Sequence, residues 1–274
     1  MRKSFDTPAP TSLYVEIGSG DVTVDAEDTD QTTVTVEGRD AEQVTVEQRG
    51  DQVLVVAPQR KTAIFGGGSN ELHVRVTLPV DSDLATKTGS ADVRTTGRLG
   101  HAKLKSGSGD VTLAELGADC LIETGSGDIE VARAAGDLRI KSGSGDVAVD
   151  RADGALTVST GSGDVEIGSS DKPVQVKSGS GDLRVKRAGT DVALSTASGD
   201  LYVGAIERGS VLAKNVSGDI RIGIPAAIPV WTDISCVTGT VSSTLQGAGK
   251  PVDGQDFIEV RAKTVSGDIH LEEL

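Results

Sequence analysis

From residue 92 onward, apolar and polar side chains recur in fixed columns. Asp92, Asp110, Asp128, Asp146, Asp164, Asp182 and Asp200 stand eighteen residues apart, most closing a Gly-Ser-Gly-Asp string such as Gly125-Ser126-Gly127-Asp128. One residue after each aspartate the chain reads Val93, Val111, Ile129, Val147, Val165, Leu183 and Leu201, and three after it Thr95, Leu113, Val131, Val149, Ile167, Val185 and Val203. The position between them is mostly polar: Arg94, Thr112, Glu130, Ala148, Glu166, Arg184, Tyr202. Such alternation predicts a half-buried strand. A second aliphatic pair follows at the tenth position (Ala102, Cys120, Leu138, Leu156, Val174, Val192) and the twelfth (Leu104, Ile122, Ile140, Val158, Val176, Leu194). Each unit is thus predicted to be two short strands and two corners, with four aliphatic side chains inward.

Two strands and two turns fit either a hairpin of an antiparallel meander or one coil of a parallel solenoid. Six identical steps favour the solenoid, because equivalent residues then sit above one another and insertions within a strand are excluded. One coil has too little apolar surface to stand alone, so units must stack. The expected fold is all-β: a single-stack parallel β-solenoid, β-helix-like, of about 18 residues per coil, with irregular strand-rich end caps. Residues 1–80 are expected to form irregular strand-rich coils or a cap, 81–222 the regular solenoid, and 223–274 a C-terminal insert and final capping coil. Gly18-Ser19-Gly20-Asp21 anticipates the repeat, residues 61–70 read as a mobile loop, and the period slips to nineteen at Asp219. The insert carries Pro225, Pro229, Trp231 and Pro251, and Trp231 is expected to be buried over the last coil.

Stacking also constrains polar columns. The thirteenth position reads Lys105, Glu123, Lys141, Ser159, Lys177, Ser195, with an acid or neutral residue between successive lysines, as neighbour pairing in a parallel ladder requires. The fourteenth alternates Ser106, Thr124, Ser142, Thr160, Ser178, Thr196, and this hydroxyl column is expected to hydrogen-bond up and down the stack.

Aromatics make up 2% of the chain and Gly 35 residues, the filling of thin repetitive β-structure. A formal charge of −14 argues against a nucleic-acid backbone or an anionic membrane as partner and leaves cations and basic surfaces. No run of 18 apolar residues predicts a membrane-inserting helix. Cys120 and Cys236 are too few for a disulfide framework and six coils apart in a stack, so two free thiols are expected. With no signal peptide visible behind Met1-Arg2-Lys3-Ser4-Phe5-Asp6, this makes the expected location the cytoplasm.

The aspartate corner is the constellation that bears on chemistry. Carboxylates stacked at ~4.8 Å repel by about 0.9 kcal/mol per neighbouring pair even at the dielectric of water. The first reading is that each accepts hydrogen bonds from glycine and serine amides of its own turn. The alternative is a row of calcium sites at Asp110, Asp128, Asp146, Asp164 and Asp182, resembling nonapeptide calcium solenoids, although calcium takes six to eight oxygens. His73, His101 and His270 lack metal-ligand spacing and read as solvated surface, while Cys120 sits in an aliphatic column. Glycosidase or lyase chemistry would need long loops with unlike catalytic residues, and these corners are short and alike. No catalytic residue and no cofactor is assigned.

The run Thr160-Gly161-Ser162-Gly163-Asp164-Val165 and its copies, the strand Val74-Arg75-Val76-Thr77-Leu78-Pro79, and Thr264-Val265-Ser266-Gly267-Asp268-Ile269 together resemble a bacterial domain-of-unknown-function family labelled "putative adhesin", built of Gly-Asp β-strand repeats. Ile222-Gly223-Ile224-Pro225 leading to Trp231 is similar to its actinobacterial type. The resemblance implies a β-solenoid-like fold and an adhesin label, with no catalytic residues. The expected function is therefore that of an acidic, non-enzymatic β-repeat protein acting as a scaffold, adhesin-like or protein-binding surface, with an unidentified protein partner or self-association. The alternatives are a self-assembling cytoskeletal rod resembling the bactofilins, and a calcium-binding solenoid.

Overall fold

The computed structural model describes residues 1–58, 71–246 and 257–274; residues 61–70, read above as a loop, and Pro251 lie outside them. The chain is all-β, with twenty-six strands and a single 3-10 turn, Ala41–Gln43, among the described residues. It divides into two compact units, Met1–Gly136 and Asp137–Leu274. Each is a parallel β-solenoid.

In the N-terminal unit the regular coils pair with the predicted register. Val111 lies between Val93 and Ile129, and Cys120 and Ile122 lie beside Ala102 and Leu104, all in parallel strands. The sixteen-residue strand Ser12–Glu27 serves both sheets of this coil stack, passing a corner at Gly18-Ser19-Gly20-Asp21. It pairs parallel with Asp83–Thr96, setting Leu13 against Leu84 and Asp21 against Asp92, so the early corner stacks on the regular ones. Beyond it the ladders turn antiparallel: Gln31–Glu37 runs against Leu72–Pro79, Arg2–Asp6 against Gln31–Glu37, and Thr45–Arg49 against Gln52–Val56. Short connections that reverse direction force antiparallel pairing, whereas a coil needs a full circuit to return in the same sense. Ala41 and Val44 are buried at this end, and Lys3 Nζ donates to the Val46 carbonyl at 2.7 Å, tying two edge strands together.

Among the described residues the ladders of the C-terminal unit are parallel. One ladder carries Leu138, Leu156, Val174, Val192 and Val211 as successive neighbours, the other Val147, Val165, Leu183, Leu201 and Ile220. The step is eighteen until Ala188 meets Ile206, then nineteen where Val192 meets Val211, which places the extra residue in the turn before Gly209. The last coils leave sequence order. Ile258–Ser266 inserts between Gly209–Lys214 and Val230–Thr238, and Ile269–Glu273 between Ile220–Ile224 and Val241–Ser243. The coil formed last by the chain is therefore next to last in space.

The aliphatic columns are buried as the alternation requires; Leu113, Ile122, Ile140, Val158, Ile167 and Val185 are 0–1% exposed. A further inward column stands six residues after the aspartate: Leu116 and Ala134 in one unit, Ala152, Ser170, Ala188 and Ile206 in the other. Two consecutive residues before it, such as Arg151 and its predecessor Asp150, both face solvent, so the strand bends and strict alternation breaks. The coil consequently buries more than four aliphatic positions. Four of its six members, Ala134, Ala152, Ser170 and Ala188, are small.

Candidate functional site

The corner geometry begins with glycine. In Gly161-Ser162-Gly163-Asp164 the second glycine has φ +110°, and a Cβ there would lie 2.2 Å from the carbonyl oxygen of Gly145, one coil away. Only a residue without a side chain allows both the backbone angle and the close stacking. The following aspartate then points along the stack.

In the N-terminal unit the Asp110 amide donates to Asp92 Oδ1 at 3.0 Å and the Asp128 amide to Asp110 Oδ1 at 2.9 Å. In the C-terminal unit the amides of Asp164, Asp182, Asp200, Asp219 and Asp268 each donate at 2.8 Å to Oδ1 of the aspartate one coil before: Asp146, Asp164, Asp182, Asp200 and Asp219. The series ends where the Thr240 amide donates to Asp268 Oδ1 at 2.8 Å. The carboxylates thus bond between coils, correcting the expectation that each serves its own turn. The hydroxyl column is corrected in the opposite sense. Thr124, Ser142, Thr160, Ser178 and Thr196 each donate to the carbonyl two residues ahead, at 2.7 to 3.1 Å, and so stay within their own coils. A hydroxyl reaches the adjacent carbonyl of a tight corner, whereas a carboxylate, with no proton to give, needs the N–H that the next coil brings.

The five candidate calcium residues fall on this ladder, Asp110 and Asp128 in one unit and Asp146, Asp164 and Asp182 in the other. Each of their coils contributes one carboxylate at this corner. Among the described residues no group of three or more His, Cys, Asp or Glu is placed to hold a metal ion. A calcium shell of six to eight oxygens does not fit this arrangement.

Elsewhere, charges pair along columns as expected. Lys105 Nζ lies 2.8 Å from Glu123, and Glu166 meets Lys186 and Arg184, which lower its pKa through the Lys186 hydrogen bond. Trp231 is 50% exposed, with the Arg261 guanidinium 5.7 Å from its ring centroid, and is not buried over the last coil. Its neighbours Val230 and Thr232 take the inward positions, which sends the indole outward. His73 is exposed and bonded to the Asp21 carboxylate; His270 shares a 2.6 Å hydrogen bond with Ser242. Both cysteines are free; burial pushes the Cys120 thiol up to about 12. A cavity of about 440 Å³ in the N-terminal unit is lined by Ile17, Leu72 and Pro58 with Glu16, Lys87 and Thr88. No described helix is long and apolar enough to cross a membrane.

The Toastrack DUF4097 family matches residues 11–122 and again 118–272. No curated protein matches the chain. Among solved structures, one described as a "putative adhesin" from Parabacteroides distasonis ATCC 8503 is 12% identical, covers 100% of this chain and 96% of its own, and has a TM-score of 0.37. A second from the same organism, described as a "Putative lipid binding protein", is 11% identical with the same coverage and a TM-score of 0.37. A "putative cell adhesion protein" from Clostridium sporogenes ATCC 15579 is 13% identical, covers 100% of this chain and 99% of its own, and has a TM-score of 0.24.

Proposed function

This chain belongs to the Toastrack DUF4097 family, and on that premise we propose that it is a non-enzymatic scaffold whose stacked faces bind a protein partner with a basic surface. The observation that carries the reading is the carboxylate row of each unit. Asp146, Asp164, Asp182 and Asp200 are exposed, evenly spaced, and oriented through Oδ1 by the coil that follows. Pre-oriented charges at one-coil spacing favour an extended basic segment, because little side-chain entropy is lost on binding. The net charge of −14 favours the same partner. The free thiols support a cytoplasmic location, and the Gly-Ser-Gly-Asp corners with the Pro225 to Trp231 insert support the Gly-Asp-repeat, actinobacterial type within the family.

Changing Asp146, Asp164, Asp182 and Asp200 together to Asn removes charge while keeping an acceptor at each corner. The immobilised chain should retain a lysine-rich peptide at low salt and release it as salt rises, and the four-Asn variant should retain markedly less. Equal retention by both proteins, or none by either, would count against the proposal.

A further inference from the structure

The C-terminal unit ends in a coil unlike those beneath it. No residue from 230 to 246 is buried, whereas Ile258, Val260, Ala262 and Ile269 in the adjoining coil are fully buried. The inward positions Val230, Thr232 and Ile234 on one strand, and Val241, Ser243 and Leu245 on the other side, line a hollow of about 410 Å³ of mixed character, with Glu273 also at its wall. Among the described residues Val230–Thr238 pairs only with Ile258–Ser266, and Val241–Ser243 only with Ile269–Glu273, so two strand edges flank this hollow without partners. Exposed edges are ordinarily blunted by charge, proline or bulges. Residues 230–246 hold one charged side chain, Asp233, and it already lies 3.3 Å from Lys263 Nζ. The N-terminal unit treats its end differently, closing it with antiparallel strands, the buried Ala41 and Val44, and the Lys3 tie.

We infer that this end is a self-association surface, and that its occupant is the same end of a second copy of the chain, related by a two-fold axis. An added peptide strand would complete one edge and leave the other edge and the hollow open. A partner that meets both edges at once must itself present two strand edges flanking a hollow, and this chain carries such an end. Two molecules of formal charge −14 can approach at a patch whose carboxylates are engaged within the chain, Asp233 with Lys263 and Glu273 with the Gln246 amide. The corner ladder selects the two-fold arrangement. Thr240 donates to Asp268 but brings no carboxylate, so a further coil stacked in the same sense would find no acceptor there. A two-fold mate runs antiparallel to each edge and needs none. The inference is independent of which lateral face engages a basic partner.

The test is the mass of the full chain in solution by sedimentation, with Thr232→Lys/Val241→Lys as the disrupting variant and Val216→Lys, exposed but off this edge, as control. The expected result is twice the 28.0 kDa chain mass for the wild type and for V216K, and the single-chain mass for T232K/V241K with an unchanged circular dichroism spectrum. A wild type of single-chain mass at high micromolar concentration overturns the inference. An open-ended series of larger species overturns the two-fold arrangement, as does a T232K/V241K protein that stays paired.

Discussion

The backbone amide of Asp182 donates to Oδ1 of Asp164 at 2.8 Å, one coil away, and this contact repeats along the corner of each unit. It gives the aspartate column a structural role that needs no ion. Each carboxylate is drawn toward a backbone dipole of the next coil, which offsets repulsion of about 0.9 kcal/mol per neighbouring pair at ~4.8 Å in a medium like water.

This assignment separates two substitutions at Asp164. Asp164→Asn keeps an oxygen acceptor for the Asp182 amide and removes one charge from the row, so stability should stay within about 0.5 kcal/mol of wild type. Asp164→Ala removes the acceptor and should cost about 1–2 kcal/mol. Urea denaturation of the two variants makes the comparison, with equal losses counting against the ladder.

Glycines of similar appearance in the sequence should differ sharply. Gly163→Ala forces a side chain onto φ +110° and to within 2.2 Å of the Gly145 carbonyl, and should cost more than about 2 kcal/mol. Gly18→Ala has a negative or extended φ and, among the described residues, no atom within 4 Å of the new Cβ, and should fall within about 0.5 kcal/mol of wild type. Thermal unfolding of the pair distinguishes a packed corner from an open one.

The columns that announce register were legible because a parallel stack repeats both volume and polarity at each step: Val165 over Leu183 and Ile167 over Val185 follow from counting alone. The lateral ion pairs, such as Lys105 with Glu123, follow from the same count. The inward column of Ala134, Ala152 and Ser170 was not legible, because small residues carry a weak apolar signal and the bend before them breaks the period of two. The corner bonds run opposite to the expectation from sequence, since composition identifies Asp, Ser and Thr as turn residues without indicating which faces along the stack. Rarity and size point to a buried plug for Trp231, whereas its parity beside Val230 and Thr232 puts it outside. The order of the last coils did leave a trace. Thr238-Gly239-Thr240-Val241 lacks the aspartate of its equivalents, and a coil that donates to a corner carboxylate but supplies none belongs at the end of the row.

Cys120 and Cys236 should react at very different rates. The Cys120 thiol is buried in an aliphatic column and desolvation raises its pKa to about 12, so little thiolate exists near neutral pH. In a Cys236→Ser variant, labelling with a disulfide reagent at pH 8 should be slow in buffer and become fast only with the denaturant that opens the N-terminal unit. Rapid labelling in buffer would contradict this placement.

His73 confers a pH dependence on the N-terminal unit. Its pKa is raised from 6.5, first by the hydrogen bond to Asp21 and then by the charge of Asp21, with Glu71 and Glu37 adding smaller contributions. A raised folded pKa means that protonation stabilises the fold: the contribution is complete below about 6.5 and is lost as pH rises through the raised value. The stability difference between wild type and His73→Gln should therefore be largest in mild acid and fade toward alkaline pH. A difference that grows with pH would reverse the sign.

The account depends on parallel, in-register stacking within each unit, and the most direct measurement is the pattern of inter-strand proton contacts in an isotope-labelled sample. Contacts of the parallel type are predicted between Val165 and Leu183 and between Val176 and Leu194, together with a coupling from the Asp182 amide nitrogen to the Asp164 carboxyl carbon. Close α-proton pairs of the antiparallel type between the strands Val165–Ser170 and Leu183–Ala188, or contacts shifted from the eighteen-residue step, would contradict it.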